Sequence, residues 1–383
     1  MVQERISQAQ ITYGRIVVKA GTNVLTNESK NVDMAVMAEL VGQIASLHRV
    51  GVEIVLVTSG AVAAGQAALE LDHSSRSSPG VQVLAAIGQS RLMHAYQDLF
   101  AGYGINVAQA LITWQDVERR VGYLNVRNTL TALLEQKVVP IVNENDVVDT
   151  SELDARRIGD NDTLSALVTN LVDADLLLML TDTGGLYSAD PNRDPKARLI
   201  PKVTQVDEGI LALAEEHRNE LSRGGMASKL KAAQRAGASG ATVVIGPGRT
   251  PGSIIRAAKG QHDGTIFPSH MSPVDSRKRW LLSGMAGNGG TLKVDDGAVD
   301  AIQSRNGSLL PAGISSVRGA FQRGDVVEIQ RMDGQRIAVG IANYSAMELT
   351  QLAGHRSGQI ERILGYDYGQ EAVHRNNLAL TDG

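Results

Sequence analysis

With 383 residues, the chain is long enough for two or three domains, each with its own core. Its 43% hydrophobic and 20% charged residues describe an ordinary globular protein, and a net charge of −4 offers no basic field to nucleic acid or anionic lipid. The lack of cysteine excludes disulfides and thiolate chemistry and fits a reducing compartment.

Met1–Gly14 is polar and lacks the apolar core of a secretory leader, and no apolar run reaches the length of a membrane span, so a cytoplasmic location is expected. From Ile16 to about Phe267, short aliphatic runs alternate with longer amphipathic ones. Ile16–Val18, Glu53–Val57, Ile105–Leu111, Val138–Val142, Leu176–Leu180 and Ala241–Ile245 read as buried strands. Between the first two, Val36, Leu40, Val41, Ile44 and Leu47 fall on one helical face, with Asp33 as N-cap and Gly51 as the C-terminal stop. Val81–Phe100, Thr163–Asn170 and Asp207–Arg218 also read as helices. This alternation predicts an α/β fold, a three-layer αβα sandwich around a largely parallel sheet. Gly184–Pro201 interrupts it with Gly-Gly and two Asp-Pro turns and reads as a hairpin excursion.

After Ser272 the composition changes. Ser276–Arg279 is a basic link, and the segments beyond it are short and punctuated by glycine. Thr291–Val294, Ser315–Val317, Asp325–Ile329 and Ile337–Ile341 read as strands of a small, mostly β domain. The expected division is a tail over 1–14, an α/β domain over 15–272, a linker over 273–286, and the β domain with a C-terminal extension over 287–383.

No Walker-type Gly-Lys-Ser/Thr, no Gly-x-Gly-x-x-Gly opening a helix and no His-Glu-x-x-His occurs, and the eight His lack metal-ligand spacing. Chemistry gathers instead at strand ends, where open α/β sheets bind ligands. The first strand runs into Lys19-Ala20-Gly21-Thr22-Asn23, and the second ends in Thr58-Ser59-Gly60-Ala61 before a helix, whose free amides favour an anion. The fourth ends in Asn143-Glu144-Asn145-Asp146, and Gly159-Asp160-Asn161-Asp162 opens the helical stretch after it. Thr181-Asp182-Thr183-Gly184-Gly185 closes the fifth, and Arg223-Gly224-Gly225-Met226-Ala227-Ser228-Lys229 sets two glycines before a helix that carries a lysine. Each stretch alone has a plainer explanation: a solvated lysine, an N-cap serine, a hairpin entrance, a surface loop. Together they meet the needs of phosphoryl transfer, in which positive charge spreads over the equatorial and leaving oxygens while Mg²⁺ neutralises a triphosphate. Asp162 is suited to orienting the two ammonium groups.

At these residues the chain resembles the amino acid kinase family, and within it the branch that phosphorylates L-glutamate. Val17–Thr22, Val57–Gly65, Ala86–Leu92, Tyr123–Leu130, Asn143–Asp146, Gly159–Asp162, Leu180–Asp182, Gly184–Tyr187 and Gly224–Met226 carry the likeness. Gly290–Asp295, Ser308–Ile314 and Gly365–Gly369 resemble a PUA domain. The resemblance implies ATP and Mg²⁺ as cofactors and L-glutamate as acceptor, with Lys19, Lys229 and Asp162 catalytic. It implies Ser59, Gly60, Asp146 and Asn161 on glutamate, with Asp146 taking the α-ammonium. It implies Lys19, Gly21, Thr181, Asp182 and Arg223, Gly224, Gly225, Met226, Ala227, Ser228 and Lys229 on ATP; no residue is assigned to the metal, which is expected on the ATP phosphates. Proline as inhibitor and a homodimer or tetramer are further expectations from the family, and Asp116 lies where its feedback-sensitivity positions cluster. Two departures stand out: Arg223 replaces the usual threonine, and Leu153–Arg157 lengthens the link before Gly159.

A sibling kinase acting on N-acetylglutamate or aspartate is the nearest rival, and an acetylated amine would leave Asp146 without a charge to pair. RNA binding is the rival from another class. Residues 277–383 hold 12 Lys+Arg against 11 Asp+Glu, a near-balance that argues against it.

Overall fold

The computed structural model describes residues 8–27, 29, 31–69, 80–148, 161–191, 193–215, 225–269, 271–273 and 289–381. The chain forms two compact units, one from Met1–Val117 with Val126–Pro273 and the other from Glu118–Asn125 with Val274–Gly383.

The first unit is built on a seven-stranded sheet of order β3-β4-β2-β1-β5-β6-β7. β1 (Arg15–Ala20), β2 (Glu53–Thr58), β3 (Val107–Ile112), β4 (Val139–Glu144), β5 (Leu176–Thr181) and β6 (Thr242–Pro247) pair in parallel. β7 (Thr265–Phe267) closes the edge antiparallel to β6. β5 reads Leu-Leu-Leu-Met-Leu-Thr and is buried at every position, as befits a strand covered on both faces.

The helices are α1 (Thr22–Leu25), α2 (Met34–Arg49), α3 (Ala61–Ala68), α4 (Val81–Ala101), α5 (Trp114–Glu118), α6 (Arg120–Glu135), α7 (Asn161–Leu171), α8 (Glu208–Glu215), α9 (Met226–Ala238) and α10 (Ser253–Ala258). Asp33 caps α2, accepting from the amides of Ala35 and Val36 at 3.1 and 3.2 Å. Leu40, Ile44 and Leu47 of α2, Leu92, Tyr96 and Phe100 of α4 and Ile254 of α10 pack on Ile16, Val18, Leu56 and Leu178 of the sheet. Side chains alternate along a strand, so Lys19 emerges on the face opposite Val18, where it meets Asp162 at the start of α7.

Helices α3 and α4 pack with their backbones nearly touching. A Cβ on Gly88 would collide with the Ala61 carbonyl and the Gly65 amide, and one on Gly65 with the Leu84 carbonyl. We expect Gly88→Ala to destabilise the protein by about 3 kcal/mol or more, since neither neighbour is a side chain that can swing away. Thermal unfolding of the variant checks this, and an unchanged midpoint would contradict it.

Several sequence expectations shift slightly. The third strand begins at Val107 rather than Ile105, and α7 starts at Asn161 rather than Thr163. The excursion after Gly184 is a hairpin: Tyr187 bridges Leu199 antiparallel, and the Ser188 amide donates to the Arg198 carbonyl at 2.9 Å. Of the helix expected over Asp207–Arg218, Glu208–Glu215 is observed, and 216–218 and the basic link 276–279 lie outside the described residues.

The second unit contains a five-stranded sheet of order β12-β11-β10-β8-β9, from β8 (Thr291–Val294), β9 (Ile314–Arg318), β10 (Val326–Gln330), β11 (Arg336–Ile341) and β12 (Leu378–Leu380). Only β8 and β10 pair in parallel. Leu292, Ile314, Val327, Ile329, Leu349 and Val373 are in its core. Ser345 and Glu348 form a capping box at the start of helix Ala346–Leu352.

Candidate active site

Three charged side chains from distant parts of the sequence meet beyond the carboxyl end of β1. The Lys19 ammonium lies 2.6 Å from Asp162 Oδ1, and the Lys229 ammonium lies 3.1 Å from Asp162 Oδ2. The Ser228 hydroxyl donates to the same Oδ2 at 2.6 Å. Asp162 is fully buried, and Lys19 and Lys229 are 5% and 8% exposed. Burial alone would raise the Asp162 carboxyl. The two ammonium charges, with hydrogen bonds from Lys19 and Ser228, outweigh it and hold the group well below the usual carboxylate range. The cluster therefore carries two positive charges against one negative, a net positive charge in a mostly dry setting.

Local backbone leaves room beside this charge. A Cβ on Gly21 would sit 3.2 Å from the Lys19 ammonium. Gly225 is the N-cap of α9, and among the described residues nothing lies within 4 Å of where its Cβ would be. The first amides of a 13-residue helix thus lie within one turn of Lys229. Arg223 and Gly224 lie outside the described residues, as do Leu153–Arg157, Gly159 and Asp160.

A second polar cluster lies at the ends of β2 and β4. Gly60, in the left-handed region at φ 105°, makes the turn from β2 into α3, a conformation that favours glycine. Asn161 Nδ2 lies 3.0 Å from the Thr58 carbonyl, 2.7 Å from Ser59 Oγ and 3.1 Å from Asn143 Oδ1, its two hydrogens shared among these three acceptors. Asn143 Nδ2 in turn donates to Gln89 Oε1 at 2.8 Å. Below these, the Thr58 and Tyr96 hydroxyls are hydrogen-bonded at 2.8 Å, and burial raises the Tyr96 phenol above its ordinary value. Asp146 is half-buried in the turn that follows β4.

At the end of β5, the Thr181 hydroxyl and Thr183 amide each donate to Asp182 Oδ1 at 3.1 Å, and Asn23 Nδ2 donates to Oδ2 at 3.1 Å. Asp116 is engaged by its own loop, accepting from the amide and hydroxyl of Thr113 at 2.8 and 2.7 Å. Among the described residues no group of three or more His, Asp or Glu could hold a metal ion, and no helix is long and apolar enough to cross a membrane.

The structure thus joins Lys19, Asp162, Ser228 and Lys229 in one cluster and Ser59 and Asn161 in another. The sequence reading gave Gln89 and Asn143 no individual role. For Gln89 the available sign was an amide among the apolar and small residues Leu84, Ala85, Gly88 and Leu92 on the buried side of α4.

Residues 14–246 match the amino acid kinase family, and residues 290–364 match the PUA domain. The chain is 46% identical to a glutamate 5-kinase of Dehalococcoides mccartyi over 368 residues, 96% of this chain and 98% of that protein. It is 47% identical to one of Shewanella amazonensis over 370 residues, 97% of each chain, and 46% identical to one of Shigella flexneri over 363 residues, 95% of this chain and 98% of that protein. Among solved structures, a carbamate kinase from Giardia lamblia aligns at 19% identity with a TM-score of 0.46, over 67% of this chain and 99% of its own.

Proposed function

The chain belongs to the amino acid kinase family, among the glutamate 5-kinases, and from that membership we propose that it phosphorylates the γ-carboxylate of L-glutamate with ATP. The product is L-glutamyl 5-phosphate, made in the first step of proline synthesis. The observation that carries this reading is the buried Asp162 carboxylate holding the Lys19 and Lys229 ammoniums side by side.

A carboxylate acceptor is already ionised near neutral pH, its pKa being about 4.3. No general base is needed. One γ-carboxylate oxygen attacks the terminal phosphorus in line, the bond to the bridging oxygen breaks, and ADP leaves with the electron pair. The work left to the protein is alignment and charge stabilisation. Lys19 and Lys229 neutralise charge on the transferring group, and Asp162 fixes where their ammoniums stand. The α9 start, Gly225–Lys229, offers amides to the phosphates, and Thr181 and Asp182 bound the nucleotide's side of the cleft. Magnesium, when bound on the phosphates, supplies further neutralisation of the triphosphate. Ser59, Gly60, Asn161 and Asp146 hold the amino acid, with Asp146 on the α-ammonium.

An ADP-release assay with L-glutamate, N-acetylglutamate and L-aspartate tests this reading. Turnover confined to glutamate supports it, and turnover with the acetylated acid alone would replace it with a sibling activity. For Asp146→Ala we expect KM for glutamate to rise about 10- to 100-fold with a small change in kcat, as for a hydrogen bond to a charged group. An unchanged KM would mean that the ammonium is read elsewhere. Proline, bearing the same α-amino acid head as glutamate, is proposed to compete with it and to raise its apparent KM.

A further inference from the structure

We propose that Gln89 is a positioning residue for the acceptor, acting through a directional ladder of amides that makes the Ser59 hydroxyl a hydrogen-bond donor. The inference rests on the acceptor-site reading above.

The direction of the ladder follows from one fixed group. The Thr58 carbonyl only accepts, so the Asn161 atom 3.0 Å from it is the nitrogen. That same nitrogen lies 3.1 Å from Asn143, which must therefore present its oxygen. The Asn143 nitrogen then points the other way and lies 2.8 Å from Gln89, whose oxygen must face it. Three amides on α7, β4 and α4 are thus oriented from a single backbone carbonyl. Reversing Gln89 would set two nitrogens against each other.

Each end of the ladder has a consequence. At the far end, Gln89 Nε2 is buried with no hydrogen-bond partner among the described residues, although Gln89 is only 9% exposed. Among the described residues the Gln89 amide is therefore oriented through its oxygen, by the hydrogen bond from Asn143. At the near end, Asn161 Nδ2 lies 2.7 Å from Ser59 Oγ, which accepts from it. The serine proton is left to point elsewhere, so toward the cleft Ser59 can donate. A donor in that position favours an anionic oxygen, and the acceptor proposed for this site has one to offer. Gln89 holds Asn143 from behind, Asn143 holds Asn161, and Asn161 sets the serine.

Packing makes the arrangement rigid. Gly88, next to Gln89, fits against the first turn of α3, which begins two residues after Ser59. The α4 backbone that carries Gln89 and the turn that carries Ser59 are therefore fixed to each other.

Gln89→Met keeps the length of the side chain and removes both polar ends, and Gln89→Glu keeps an oxygen toward Asn143. We expect Gln89→Met to raise KM for glutamate about tenfold, the effect of losing one well-placed hydrogen bond to a charged group, with KM for ATP within about twofold. Gln89→Glu should recover most of that loss. Coupling gives the sharper readout: with Ser59→Ala already present, adding Gln89→Met should change KM for glutamate little further, because both act through one hydroxyl. Additive effects would overturn the proposal, as would equal losses toward glutamate and ATP, or an unchanged KM in Gln89→Met. Should Gln89→Met fail to fold, failure of Gln89→Glu to stay near wild-type KM would also overturn it. Wild-type turnover with glutamate is measured first: its absence would remove the acceptor reading itself, whereas normal turnover with additive variants removes only the ladder.

Discussion

Asp162→Asn is expected to destabilise the protein by about 3–5 kcal/mol and to remove most of its turnover. The carboxylate is fully buried, and its two oxygens face ammonium groups that are themselves 5% and 8% exposed. An amide in its place leaves two like charges close together with nothing to oppose them. Breaking a buried ion pair from one side carries that range of cost because the remaining charge stays out of water. The pH dependence has a definite sign. The Asp162 carboxyl sits below its ordinary value in the folded protein, so its contribution is present in full above the unfolded pKa of about 3.9 and fades as pH falls toward the lower folded value. Thermal unfolding between pH 3 and pH 8 should show wild type losing part of its advantage over the variant only at the acid end. A constant small difference across that range would contradict the pairing.

Lys229→Ala is expected to reduce kcat by about 10²- to 10³-fold while KM for glutamate stays within a few-fold of wild type. The lysine lies in the first turn of α9, beside Ser228, and its ammonium is directed by Asp162. A positive charge fixed there does most where negative charge is redistributed as the phosphoryl group moves, so its loss falls on the chemical step. The amino acid is proposed to be held by other residues, from β2, β4 and α7. Turnover near that of wild type would show that the cluster around Asp162 serves stability only.

Much of the architecture is visible in the chain because parallel strands covered on both faces are spelled as plain aliphatic runs. Glu53–Val57 and Leu176–Leu180 match observed strands to within one residue at their ends. The short strands Thr265–Phe267 and Leu378–Leu380 went unread because three residues establish no period. The capping box at Ser345 and Glu348 was written in the sequence, but a seven-residue helix shows too few turns to declare its buried face.

For the candidate site, the strand-end lysine and the acidic helix start could be read one at a time. Their meeting comes from topology: β1 lies at the middle of the sheet, and α7 and α9 pack on the same side of it, which brings Lys19, Asp162 and Lys229 together from positions as much as 210 residues apart. Gln89 was not readable in the same way. Nothing in a single sequence pairs a glutamine inside an amphipathic helix with an asparagine 54 residues later, and the direction of the ladder depends on a backbone carbonyl that no side-chain pattern reveals.

The most direct test exploits the product. An acyl phosphate is captured by hydroxylamine as a hydroxamate, with release of phosphate, so glutamate, ATP and hydroxylamine together report transfer to carbon-bound oxygen rather than mere ATP hydrolysis. The account predicts ATP-dependent γ-glutamyl hydroxamate from the wild-type protein and almost none from Lys229→Ala. ADP release without hydroxamate, or equal hydroxamate from both proteins, would contradict it.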